Sequence, residues 1–294
     1  MINTRILEQR LGWRATEDSD GAEQPENRPI RHETVLQGRI RATPGHSRQR
    51  RADVEATWAT LPVAAPSADA LSGSRQRLSA LSRNSVAGAA LDELRTQLLR
   101  ATKTNGWRRI GITSPIRGCG RSFIASGLAA SIARLETLRV LLLDMDLAAP
   151  DLSRLFGVQA PGPISDILVD APPAESWLMR VGNNLALGLS DSATDNGAEL
   201  VQNPEFILGL RATIDALSPD LVIHDLPPLL TDTATVAFLP QLDAVLLVAD
   251  GTRTQARDII ECERILEGQV PLLGVILNKS EDTDRRRQQR VSRS

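Results

Sequence analysis

From residue 91 onward, short apolar runs alternate with stretches whose apolar residues recur at helical spacing. The runs at 109–113, 140–143, 185–189, 221–224, 244–249 and 272–277 are almost continuously apolar, as strands buried on both faces are. Helical spacing fills 122–135, 203–217, 233–239 and 254–267, and residues 91–99 form a lead-in helix. Buried strands alternating with helices predict an α/β domain: a doubly wound, mostly parallel sheet flanked by helices. Residues 1–85 lack this rhythm. They carry Pro25, Pro29, Pro44, Pro62 and Pro66 and the basic cluster Arg48-Gln49-Arg50-Arg51, so they are expected to be a disordered or partner-docking arm. Within it, Ile2, Ile6, Leu7, Leu11 and Trp13 have the spacing of a short amphipathic docking helix. The folded domain is expected at 86–284, followed by a basic, disordered tail at 285–294.

Composition narrows the function classes. Hydrophobic residues make up 41% of the 294 and charged residues 24%, enough apolar surface for a packed core. A net charge of -2 gives no global attraction to nucleic acid or to an anionic membrane, so neither is an expected partner. No apolar run reaches the roughly 18 residues of a membrane span, and the first 14 residues hold no signal-peptide core. A cytoplasmic protein without direct membrane insertion is expected, peripheral to the inner membrane only through a partner. Two cysteines, Cys119 and Cys262, suit a reducing compartment. There are 34 basic side chains, yet only Lys103 and Lys279 are lysines, and the chain has no tyrosine.

The candidate chemistry lies at strand ends. The first strand runs through Ser114-Pro115-Ile116-Arg117-Gly118-Cys119-Gly120-Arg121-Ser122 into a helix. A glycine-bearing turn between strand and helix N-terminus lets backbone N–H groups and the helix dipole cradle phosphate. Such a loop normally closes on a lysine and a Ser or Thr that meets Mg²⁺. Here Arg121 stands at the lysine position and Ser122 supplies the hydroxyl. The second strand ends in Asp144-Met145-Asp146, whose alternation puts both carboxylates on one face at the edge where open α/β sheets bind ligands. Such a pair can hold Mg²⁺, or accept a proton. A third acid, Asp225, closes the run Leu221-Val222-Ile223-His224 before Pro227-Pro228, and His224 is expected to point away into packing. Cys119 sits at a helix N-terminus beside Arg117 and Arg121, surroundings that favour a thiolate.

These motifs, in this order, resemble the cytosolic P-loop domain of bacterial tyrosine kinases that regulate capsule and exopolysaccharide synthesis, over roughly residues 91–279. The stretch VLLLDMDLAAPDLSRLFG at 140–157 is similar to the family's second acidic motif, and 221–228 with Asp232 to its third. Residues 242–248 and 274–278 match the later strands. The resemblance implies a P-loop fold of the deviant Walker type, with ATP or ADP and Mg²⁺ as cofactors. It places Gly118, Cys119, Gly120, Arg121, Ser122 and Phe123 around the phosphates and Asn278 at the adenine. Ser122, Asp225 and Asp144 would serve the metal, and Asp144, Asp146 and Arg121 the catalysis. An inner-membrane polysaccharide chain-length or co-polymerase protein is the implied partner.

Several positions depart from the family's pattern. Besides Arg121, Phe123 replaces a second hydroxyl, and Ala148-Ala149 stand where a basic pair is usual. A Glu-x-x-Arg-x-x-Arg contact motif on the lead-in helix, aligned on Arg95, reads Ala89, Asp92, Arg95. The tyrosine cluster is missing. These departures predict a degenerate member with weak or absent catalysis, monomeric or dimeric rather than a ring. An active Mg·ATP-dependent tyrosine kinase or ATPase acting on a partner is the alternative. A partitioning or division-site ATPase is a third reading; Ile116 occupies the position where those proteins place a signature lysine.

Overall fold

The computed structural model describes residues 44–65, 85–168 and 172–280. The amphipathic stretch at 2–13 and the basic tail at 285–294 lie outside the described residues.

A helix α1 (Pro44–Thr60) precedes the domain, which begins with α2 (Val86–Asn105). There follow β1 (Arg109–Thr113), α3 (Arg121–Ala133), β2 (Val140–Asp144) and the short α4 (Leu152–Phe156). Next come β3 (Leu178–Val181), β4 (Leu185–Gly188), a single turn α5 (Gly197–Leu200) and α6 (Pro204–Leu217). The chain continues through β5 (Leu221–Asp225), α7 (Thr233–Phe238), β6 (Ala244–Asp250), α8 (Ala256–Leu266) and β7 (Leu272–Asn278). One seven-stranded sheet has the order β3-β4-β2-β5-β1-β6-β7. It is parallel except at the β3/β4 hairpin, where Leu178 pairs with Gly188 and Val181 with Leu185. Burial follows the two faces. Leu91, Leu94 and Leu98 of α2 and Ile124, Leu128 and Ile132 of α3 pack on Ile110, Ile112, Leu142 and Ile223. The opposite core joins Leu141, Val222 and Leu247 to Phe206, Leu210 and Leu217 of α6 and to Phe238, Ile259 and Leu266.

The predicted doubly wound, mostly parallel sheet is therefore the observed one. β3 was not anticipated: its four residues form the antiparallel edge. The lead-in helix is longer than its apolar stripe suggests, because Ser85 caps its N-terminus by accepting from the Gly88 N–H and Gly106 ends it at φ 71°.

The arm expected over 1–85 needs correction at 44–65, which is folded onto the domain. Trp58 and Leu61 are buried, and the Trp58 indole N–H donates to the Leu217 carbonyl at 2.8 Å. The Arg139 guanidinium lies 5.2 Å from the Trp58 ring centre and pairs with Glu55. Beyond α1, Arg180 N–H donates to the Pro62 carbonyl and Ala64 N–H to the Arg180 carbonyl, so this segment lies parallel along the edge of β3. The physical reason is that Trp58, the adjoining Leu61 and the half-buried Val54, with a few main-chain bonds, hold a helix that is otherwise mostly polar; Arg50 and Arg51 are exposed. Periodicity does not register so few anchors.

Candidate phosphate-binding site

β1, β2, β5 and β6 all end at one sheet edge, and the loop from β1 to α3 crosses it. Asp144 lies directly across from Asp225 in the β2/β5 register. Gly118 (φ 86°) and Gly120 (φ 94°) take the left-handed backbone that this tight turn demands, and Gly120 caps α3.

Both facing carboxyls are sealed from solvent. Asp144 accepts N–H groups of Asp151 and Leu152 on Oδ2 at 3.1 and 3.0 Å, while its Oδ1 has no partner among the described residues. Neither oxygen of Asp225 has one. Burial first, then the Asp225 charge, pushes the Asp144 acid well above its ordinary range. Burial raises Asp225 to about 7, against the pull of the Arg121 guanidinium and of the nearby Ser122 hydroxyl, which makes no well-formed hydrogen bond to it. Buried acids with orphan oxygens at the mouth of a glycine loop are the donor set that a hard divalent cation completes. Among the described residues no group of three or more metal-binding side chains occurs. Mg²⁺ typically takes one or two carboxylates together with substrate phosphates and water.

Arg121 begins α3 with its side chain 8% exposed and gives Nη2 to Asp146 Oδ2 at 2.8 Å. Its Nη1 is buried without a partner among the described residues. Arg117 grips the same carboxylate at 3.0 and 3.3 Å and reaches Asp232 at 3.7 Å. Asp146 is thus saturated by two arginines of the loop. Phe123, in the first turn of α3, packs half-buried against the core, and Ser122 is half-buried. Cys119 is also buried, its thiol donating to the Ile116 carbonyl at 3.2 Å. His224 faces packing as anticipated: it lies 5.2 Å from the Phe238 ring, and burial lowers its pKa to about 4.

Asn278, at the end of β7, donates Nδ2 to the Cys119 carbonyl at 2.9 Å. The lysine after it was not among the residues singled out for the site. Lys279 donates Nζ to the Gly118 carbonyl at 2.5 Å and to Asp250 Oδ2 at 3.0 Å. The signals were present: Asp250 ends an apolar strand at the same edge, and Lys279 is one of two lysines in the chain.

No family model matches the chain. It is 32% identical over 194 residues, 64% of its length, to the putative tyrosine-protein kinase EpsB of Ralstonia nicotianae, covering 25% of that protein. The tyrosine-protein kinase ptk of Acinetobacter johnsonii is 25% identical over 197 residues, 66% of this chain and 26% of that one. The match therefore spans about a quarter of the length of these curated relatives. Among solved structures, the kinase domain of the Escherichia coli tyrosine kinase ETK is similar with a TM-score of 0.60 and 26% identity, over 67% of this chain and 76% of that one. The BceF tyrosine kinase domain shares the fold, with a TM-score of 0.58 and 24% identity over 79% of this chain and 96% of its own. In sequence the chain is similar to the bacterial tyrosine-protein kinases, and its folded part has the P-loop fold of their kinase domains.

Proposed function

We propose that this domain binds Mg·ADP and Mg·ATP and serves exopolysaccharide or capsule assembly as a kinase-like regulator with weak or absent catalysis. The observation that carries the nucleotide reading is the convergence of the glycine loop with Asp144 and Asp225, whose buried oxygens lack partners. In that reading loop N–H groups cradle the phosphates, Ser122 and Asp225 hold the metal, and Asp144 lies beside it. Bound Mg²⁺ would draw charge from the phosphate oxygens and lower the cost of ionising the two acids. Weak catalysis follows from Arg121: its guanidinium is held on Asp146, and a planar fork does not replace an ammonium at a phosphate. Asp146, gripped by Arg117 and Arg121, acts as an anchor for the loop's cations more than as a base. An active enzyme working on a partner's tyrosine is the second reading, favoured by the intact set Ser122, Asp144 and Asp225.

Isothermal titration with Mg·ADP and Mg·ATP tests the first part: heat of binding is expected for both. Turnover of labelled ATP should run on the order of 10²- to 10³-fold below that of a relative with the loop lysine, the usual loss for one charge-stabilising donor. No binding of either nucleotide would end the reading, and turnover equal to the relative's would favour the active enzyme.

The proposed partner is an inner-membrane chain-length or co-polymerase protein, which would bring a cytoplasmic domain to the membrane. Among the described residues no helix is long and apolar enough to cross one. A monomer or dimer is expected. Asp92 is occupied within its own chain, accepting from the Ser131 hydroxyl at 2.5 Å and pairing with Arg95 and Arg134. Arg95 also donates to the Ser131 carbonyl at 3.0 Å. These groups tie α2 to α3, so little charge remains for a neighbour. Light scattering should return a mass of one or two chains; a stable eight-chain species, with or without nucleotide, would overturn this.

A further inference from the structure

The loop lacks its lysine, yet an ammonium touches it from another element. Lys279 Nζ holds the Gly118 carbonyl, and the preceding Asn278 Nδ2 holds the next carbonyl, that of Cys119. In a trans peptide the C=O and the following N–H point in opposite directions. Fixing the carbonyls of Gly118 and Cys119 toward β7 therefore turns the N–H groups of Cys119 and Gly120 to the other side of the loop. Neither N–H finds an acceptor among the described residues. Two successive free N–H groups on one side of a turn form an anion-binding nest. The partnerless Arg121 Nη1 and Asp225 oxygens at the same loop independently indicate a ligand that carries both phosphate and metal.

The clasp is itself braced. Asp250, buried at the end of β6, holds Lys279 Nζ with Oδ2 while its Oδ1 accepts from the N–H and hydroxyl of Thr252. Asn278 Oδ1 accepts the Lys279 N–H at 2.9 Å, and Lys279 sits at φ 56°, a left-handed backbone that a lysine rarely adopts. Space is also tight. A Cβ on Gly120 would lie 2.3 Å from Asn278 Nδ2, and one on Gly118 would lie 3.1 Å from the Arg253 guanidinium.

We propose that Lys279, braced by Asp250 and acting with Asn278, is a positioning residue that holds the phosphate loop in its anion-binding conformation from the end of β7. It offsets part of what the loop loses by having Arg121 in place of lysine. The proposal rests on the nucleotide reading above and deepens it: Lys279 acts through the loop peptides, so it governs recognition of the phosphates and not of the base.

The test compares wild type, Lys279→Ala, Lys279→Arg and Asp250→Asn by titration with Mg·ADP and with adenosine, alongside melting of the free proteins. Amide resonances of Cys119 and Gly120 are followed through each titration. Lys279→Ala should weaken Mg·ADP about tenfold, the scale of one charge-assisted hydrogen bond, and leave adenosine affinity within error, while melting falls modestly because the buried Asp250 loses its ammonium. Lys279→Arg should recover part of the loss, and Asp250→Asn should lie between. In wild type the two amides should shift on adding Mg·ADP, and in Lys279→Ala they should already differ before any ligand is added. Wild-type affinity for Mg·ADP in Lys279→Ala would overturn the proposal while leaving the nucleotide reading intact. So would a parallel loss of adenosine, Mg·ADP and melting temperature, which marks a merely structural lysine. A wild type that binds neither nucleotide would overturn both.

Discussion

Trp58→Ala is expected to destabilise the docked segment by about 3–5 kcal/mol, the range for deleting a large buried aromatic. The side chain is 3% exposed and carries three different attachments. Its ring packs in the core with Leu61 and Leu217, its N–H satisfies the Leu217 carbonyl at the end of α6, and its face lies beneath Arg139. Removing it strands that carbonyl and leaves α1 with Val54 and Leu61 as its apolar contacts. The helix should then come away from the domain, while the 61–64 segment keeps the burial of Leu61, the Arg180 Nε bond to its carbonyl and the main-chain bonds of Pro62 and Ala64 to Arg180. Limited trypsin digestion reads this directly, with cleavage at Arg50 and Arg51 appearing in the variant far sooner than in wild type. Trp58→Phe keeps most of the burial and loses the donor, so a cost of about 1 kcal/mol is expected. Equal cleavage of wild type and Trp58→Ala would mean that α1 does not depend on this anchor.

Asp225→Asn should stabilise the ligand-free protein, and only at higher pH. The Asp225 acid, ordinarily near 3.8, is raised to about 7 by burial. Between those values the native state binds a proton that the unfolded chain has released, so stability falls as pH rises and the loss is complete above the native value. Asparagine removes that loss. A gain on the order of 2 kcal/mol is expected at pH 8, or roughly 4–8 °C in melting temperature. At pH 4 the difference should vanish. Asp144, shifted in the same direction, remains in the variant and keeps the relief partial. The same change removes a proposed metal ligand, so Mg·ADP affinity should fall as stability rises, the opposition expected of a binding group. A melting difference equal at both pH values would show that ionisation of Asp225 does not strain the fold.

What the sequence determined by itself is the layered framework and the edge on which the chemistry gathers. Six apolar runs became the six parallel-bonded strands β1, β2, β4, β5, β6 and β7; the first five are buried on both faces, and a strand so buried must be apolar along its length, while β7 at the sheet edge is half-buried. Asp144 and Asp225 were legible for the same reason. A charge at the carboxyl end of such a run has no apolar partner, and parallel strands bring all those ends to one side. The glycine loop was legible because φ near +90° is open to glycine and to few other residues. Tertiary structure alone decided how these charges are used. Arg121 and Asp146 are 25 positions apart and read as two catalytic candidates, but packing joins them as an ion pair with Arg117 on the same carboxylate. Lys279 reaches Gly118 across 161 positions, and Trp58 reaches Leu217 across 159. Local pattern reports which face of an element is buried; it carries no record of which distant group a single long side chain will meet. That depends on where the sheet order β2-β5-β1-β6-β7 sets the strand ends, and only the folded chain fixes those distances.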